Sequence, residues 1–290
     1  MIERITTGEG FIAALDQSGG STPKALRGYG VEDSEWSGDE AMFAQIHAMR
    51  ARVITAPSFA GGKVIGAILF EKTMDGEVDG KPTAEAIKAR GVVPFIKVDE
   101  GLADEADGVQ LMKPMGKLPA LLAKSVAAGM FGTKMRSVIK SANPQGIAAI
   151  VAQQFAVASQ ILDAGLVPMI EPEYDITAED RAEGEDILLA EIMKHLDALP
   201  EGREVMLKLS IPARPGLYAP AIAHPRVLRV VALSGGFSTD EACERLAQNP
   251  GMIASFSRGL LQDLRKGQSD AEFDAVLGKA IDQIAAASVA

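Results

Sequence analysis

Eight times along the chain a short run of β-forming residues gives way to a longer, alanine-rich stretch with helical period. The runs are GFIAALD (10–16), VIGAILFE (64–71), VVPFIKVD (92–99), FGTKMRS (131–137), LVPMIEPE (166–173), VMLKLS (205–210), LRVVALSG (228–235) and MIASFSR (252–258). Alternation of this kind calls for parallel strands joined by helical crossovers. Eight such units in 290 residues suit one (β/α)8 barrel better than a doubly wound sheet, whose strand number varies more freely. No low-complexity linker or charge block interrupts the series, so residues 1–290 are expected to form a single α/β domain, a TIM barrel.

Helix punctuation agrees with that layout. Asn143 and Pro144 read as N-cap and first-turn proline of a helix closed by Gly165. Ser238 with Glu241, and Ser269 with Glu272, have the spacing of capping boxes. The N-terminus lacks the apolar segment and cleavage site of a secretory signal, and no stretch is expected to span a membrane. The one cysteine, Cys243, rules out an intramolecular disulfide, reads as a small packing residue and fits a cytoplasmic location. A formal net charge of −10 argues against nucleic acid or an anionic membrane as partner, and requires any anionic substrate to find a locally basic site. His47, His195 and His224 show no metal-ligand spacing, so no metal is expected.

Chemistry in a barrel of this kind belongs at the C-terminal ends of the strands. Residues two apart on a strand share a face, and five strand ends carry polar pairs at that interval. They are Asp16 and Ser18, Lys97 and Asp99, Lys134 and Arg136, Glu171 and Glu173, and Lys208 and Ser210. Each pair is consistent with pointing into one central mouth. Lys208 stands out because it interrupts the apolar run VMLKLS. One reading places it on a strand's outer edge with its head in water; the other makes it an amine enclosed in the mouth. In the second case, apolar neighbours and the Lys134 ammonium would favour the neutral, nucleophilic form.

Two glycine-bearing loops fit anions. Ser234, Gly235 and Gly236 end the seventh strand and Ser257 and Arg258 follow the eighth, where barrels commonly hold phosphate. The loop DQSGGSTPK offers Ser18, Ser21 and Lys24 for a second anion. Two phosphate sites flanking a lysine and two glutamates suit imine formation on a ketone, with the imine as electron sink for carbon–carbon cleavage and no cofactor beyond the lysine.

With these motifs in order, the sequence closely resembles class I, Schiff-base fructose-bisphosphate aldolases of the compact bacterial type. The resemblance runs from GFIAALDQSGGSTPKAL through GAILFE, GVVPFIKVDEG, GTKMRS, GLVPMIEPE, LKLSIP and LSGG to SFSRGL. It implies reversible cleavage of fructose 1,6-bisphosphate to dihydroxyacetone phosphate and glyceraldehyde 3-phosphate, in glycolysis and gluconeogenesis, by a cytoplasmic homo-oligomer without a metal. Carried over, it gives Lys208 the imine, Glu171 the acid/base steps of carbinolamine dehydration with Glu173 in support, and Asp16 the proton of the C4 hydroxyl. Lys134 would stabilise developing charge. Ser234, Gly235, Gly236 and Arg258 would bind the C1 phosphate, and Ser18, Ser21, Lys97 and Arg136 would hold the other end. The sequence departs from animal members in two places: Gln17 stands where they have an acidic residue, and the C-terminal segment IAAASVA lacks their proton-exchanging tyrosine, Tyr218 being the last in the chain. Two alternatives remain open: a Schiff-base or transaldolase-like barrel acting on another sugar phosphate, and an inactive sugar-phosphate-binding scaffold.

Overall fold

The computed structural model describes all 290 residues, Met1–Ala290. Its main sheet contains eight parallel strands: β1 (Phe11–Leu15), β2 (Val64–Leu69), β3 (Val93–Lys97), β4 (Gly132–Ile139), β5 (Val167–Tyr174), β6 (Val205–Ser210), β7 (Val227–Leu233) and β8 (Met252–Ala254). Each overlaps one of the eight β-rich runs, and they are ordered in space as in sequence. The path is laddered from β1 round to β8. The seam between β8 and β1 is spanned by one backbone hydrogen bond, Ala14 N–H to Phe256 O at 3.4 Å.

Two apolar layers follow from the pleat. Ile12, Val93, Phe95, Met169, Met206, Val231 and Ile253 belong to an inner cluster that fills the barrel. Ile5, from the N-terminal helix Ile2–Thr7, joins this cluster, and Arg229 anchors that helix by donating to the carbonyl oxygens of Ile5 and Gly8. A larger cluster of 66 buried residues packs the outer strand faces against the helical ring. Phe95 fits inside because its neighbours are glycines. A Cβ on Gly66 would stand 3.2 Å from its ring, and one on Gly132 would stand 3.0 Å from it and 2.3 Å from the Val167 carbonyl oxygen. This packed lower half leaves the upper half of the barrel for polar groups.

Asn143 caps the helix Pro144–Asp163 through the amides of Gln145 and Gly146, and Ser269 with Glu272 forms a complete capping box. Ser238 accepts from the Glu241 amide, but the Glu241 carboxylate turns to Arg245 one turn on, so only half of that predicted box forms. The helix Pro144–Asp163 is, by length and composition alone, apolar enough to cross a membrane, contrary to the expectation that no stretch would be. It packs on β4, β5 and the helix Arg181–Asp197, as part of the barrel's outer ring.

Ser210 departs from its predicted direction. The β5–β6 ladder pairs Met169 with Met206 and Ile170 with Leu207, and its recorded register ends there. Above it the Ser210 hydroxyl accepts from the Tyr174 amide at 2.9 Å and donates to the Tyr174 carbonyl at 2.8 Å. The side chain therefore stitches two strands together and does not line the mouth. Replacing it, Ser210→Ala, strands a buried amide and should lower the unfolding free energy by about 1–3 kcal/mol. Urea titration of the two proteins checks this, and a difference under about 0.5 kcal/mol, the range of ordinary surface substitutions, would refute the role.

Candidate active site

A cavity of about 760 Å³ opens at the C-terminal ends of the strands. Strand register places its deepest polar groups. Lys97 lies level with Lys134, Arg136 with Glu171, and extending the β5–β6 register sets Glu171 beside Lys208. Adjacent strands are about 4.8 Å apart, so these side chains meet directly.

They form a chain of ion pairs. Lys134 Nζ is 2.7 Å from Asp16 Oδ2 and 2.9 Å from Glu171 Oε2, while Lys208 Nζ is 3.1 Å from Glu171 Oε1. Lys134, Glu171 and Lys208 are buried, with Lys208 only 4% exposed, which excludes the outer-edge placement. The contact at Glu171 Oε2 is one of charge, since no donor is aligned on that oxygen for a hydrogen bond. Further out, Lys97 pairs with Asp99 at 2.7 Å and Arg136 Nε with Glu173 at 2.5 Å.

Burial works against charge on both Asp16 and Lys134, and the partners win. Asp16 loses solvation, which alone would raise its pKa, but Lys134, Lys208 and Lys97 hold it down at about 2. Lys134 loses solvation too, yet Asp16, Glu171 and Asp99 keep its ammonium well above the ordinary lysine range. The cavity wall carries six cationic side chains (Lys24, Lys97, Lys134, Arg136, Lys208 and Arg258) against four carboxylates (Asp16, Asp99, Glu171 and Glu173). That excess of two positive charges sits in a chain of formal charge −10, so the basic site expected for an anionic substrate is present.

The remaining predicted residues gather at the rim. Ser18 and Ser21 line the cavity and bond each other, the Ser21 hydroxyl donating to the Ser18 carbonyl at 2.9 Å. Ser234 and Gly235 line it as well, and Gly235 needs its left-handed φ of 61° for the turn after β7. Gly236 shapes that turn, at φ 133°, without reaching the cavity lining. Arg258 is exposed and bound to no other residue of the chain, so its guanidinium is available to a ligand. The three histidines lie outside the cavity: His47 contacts the Glu77 carbonyl, His195 stacks on Phe155 and His224 contacts Asp197. Tyr218 is also remote from the mouth, its hydroxyl enclosed and without a partner, and burial pushes its pKa well up.

Sequence reading missed Arg50. It is fully buried on the helix Gly38–Thr55 and grips Gln17, beside Asp16. The signal was available: Met42, Ile46, Met49 and Val53 form the buried stripe of that helix, and Arg50 falls among them as Lys208 falls within VMLKLS.

The family model for glycolytic class I fructose-bisphosphate aldolase matches residues 2–201. A curated relative, the class 1 fructose-bisphosphate aldolase of Synechocystis sp., is 54% identical over 289 residues, covering 99% of this chain and 96% of that one. The chain belongs to the class I fructose-bisphosphate aldolase family. Solved structures agree on the fold. A fructose-bisphosphate aldolase from Plasmodium falciparum, solved in complex with TRAP and a small-molecule inhibitor, superposes with a TM-score of 0.80 at 21% identity, covering 99% of this chain and 92% of that one. A Corynebacterium glutamicum protein superposes with a TM-score of 0.55 at 16% identity, covering 99% and 91%.

The Asp16 ion pair has a consequence for stability. Its folded pKa lies below the reference 3.8, so the ionised form stabilises the fold above that value, and the contribution disappears as pH falls through about 2. The unfolding free energy of the wild type relative to Asp16→Asn should be constant above about pH 5 and shrink by about 2 kcal/mol by pH 2. Urea titrations across that range measure it, and a difference independent of pH would refute the pairing.

Proposed function

We propose that the chain cleaves fructose 1,6-bisphosphate reversibly through an imine on Lys208, within a catalytic domain formed by residues 1–290. The observation that carries this reading is Glu171 placed between two buried lysines, one contact on each carboxylate oxygen. Proton transfer from Lys208 to Glu171 along the 3.1 Å contact supplies both a free amine and a carboxylic acid. The amine attacks the C2 carbonyl of the open-chain sugar. Glu171 then protonates the carbinolamine hydroxyl, which leaves as water and gives the iminium.

Bond breaking follows from the electron sink. The C4 hydroxyl gives its proton to Asp16, the C3–C4 bond breaks, its electron pair passes into the iminium to form an enamine, and glyceraldehyde 3-phosphate departs. Protonation at C3 and hydrolysis release dihydroxyacetone phosphate and restore Lys208. Lys134, touching both Asp16 and Glu171, offsets the negative charge that develops on either side. Glu173 supports Glu171 by holding Arg136 alongside it.

The phosphates take the two ends of the cavity. Ser234, Gly235 and Arg258, with Gly236 setting the turn, hold the C1 phosphate near Lys208. Ser18, Ser21, Lys97 and Arg136 hold the other. Two sites favour a bisphosphate over substrates of single-phosphate aldolases and transaldolases. The reading includes a metal-independent reaction, a cytoplasmic location, in keeping with the lone buried thiol of Cys243, and the homo-oligomeric state implied by the family.

Borohydride reduction with fructose 1,6-bisphosphate in EDTA should place the adduct on Lys208, by peptide mass spectrometry, and Lys208→Ala should give none. Glu171→Gln should form it about 10²–10⁴-fold more slowly. An adduct elsewhere, or one that persists in Lys208→Ala, would reject the mechanism. Binding of the sugar without an adduct would establish the scaffold reading instead.

A further inference from the structure

Arg50 is the largest fully buried side chain in the protein and has no carboxylate in hydrogen-bonding contact. One terminal nitrogen donates to Thr73 Oγ1 at 2.7 Å. The other donates to the Gln17 carbonyl and approaches the Gln17 side-chain oxygen at 3.5 Å, and Nε has no partner. An enclosed guanidinium satisfied only by neutral oxygens is a costly feature, so its position needs a cause.

The cause lies at the barrel seam. β1 and β8 share no ladder, and above their single backbone bond one hydrogen bond crosses at the mouth, from Gln17 Nε2 to Ser257 Oγ. The loops on either side carry Ser18 and Ser21 on one bank and Arg258 on the other. Gln17 bridges them because its backbone carbonyl accepts from Arg50 while its side-chain amide nitrogen donates to Ser257; a carboxylate at this position has no donor to give when ionised.

We propose that Arg50 is a positioning residue that acts through Gln17 and Ser257 to fix the separation of the two phosphate-binding loops across the β8–β1 seam. The role rests on the phosphate assignments above. It acts on substrate binding, since Lys208 and Glu171 stand on β6 and β5, across the barrel from the seam, and Asp16, next to Gln17, is held by its own pair with Lys134.

The test is a double-mutant cycle on cleavage of fructose 1,6-bisphosphate with Arg50→Lys, Ser257→Ala and the pair. Lysine keeps the charge but cannot hold Thr73 and Gln17 in the same fork. Each single variant should raise KM about fivefold to tenfold with kcat within about twofold, and the pair should be no worse than Arg50→Lys alone, because one relay is broken in each. Gln17→Met, which keeps the carbonyl for Arg50 but cannot reach Ser257 with a donor, should give the same rise in KM. Paired with Ser257→Ala it decides the matter if Arg50→Lys does not fold. Additive effects on KM, or a lowered Tm with KM unchanged, would overturn the relay while leaving the Lys208 chemistry in place. Absence of turnover by the wild-type protein would sink the preceding reading, and the phosphate-loop role with it.

Discussion

Glu171 holds two lysines at once, and the upper half of the barrel is arranged around that contact. Asp16, Lys134, Glu171 and Lys208 alternate in sign along one buried chain of ion pairs contributed by four strands. Each charge loses most of its hydration, and removing Lys134 or Glu171 leaves Asp16 or Lys208 unpaired at a cost of about 3–5 kcal/mol. Such a chain is poor evidence for stability. It persists because the lower half of the barrel, filled by Phe95 and its apolar neighbours, fixes the strands that carry it.

The division between halves has a simple geometric origin. On β3, β5 and β6 the residue two steps before the first polar group is Phe95, Met169 or Met206, each a member of the inner apolar cluster. The change from apolar to polar therefore occurs at one level around the barrel, and the polar level sits on a packed floor that excludes water from below. Where backbone pairing stops short, a side chain completes the wall. Ser210 does this between β5 and β6, and Gln17 with Ser257 does it between β1 and β8. Both lie close to the reacting groups, where a small shift between strands would move a carboxylate away from its lysine.

What was legible in the sequence follows from how rigid each pattern is. A strand's two-residue repeat admits little variation, so the runs alone made Lys134, Glu171 and Lys208 consistent with pointing into one mouth, and the structure brings them together. Ser210 has the same parity as Lys208 and behaves differently, because its short side chain finds the unpaired Tyr174 backbone before it reaches the cavity. Glu241 had the spacing of a capping box but found Arg245 within reach on its own helix. Arg50 escaped notice because arginines on surface helices are ordinarily solvated. The apolar stripe of its helix marks the position, but its partners Thr73 and Gln17 come from other elements, and contacts of that range leave no local pattern that names them.

Binding and acid–base chemistry share the same cations. Lys97 is engaged by Asp99, Arg136 by Glu173, Lys208 by Glu171, and Lys134 by both Asp16 and Glu171, while the Arg258 guanidinium at the rim makes no ion pair. On the proposed assignment, a dianionic phosphate that draws on Lys97 would weaken its attraction for Asp16 and add negative charge nearby. Both effects would raise the proton affinity of Asp16. Asp16, held at about 2 by its lysine neighbours, would then be a stronger base toward the C4 hydroxyl. On that reading the cation excess that would attract the substrate also keeps Asp16 ionised, and occupation of the proposed phosphate sites would prepare it to accept a proton.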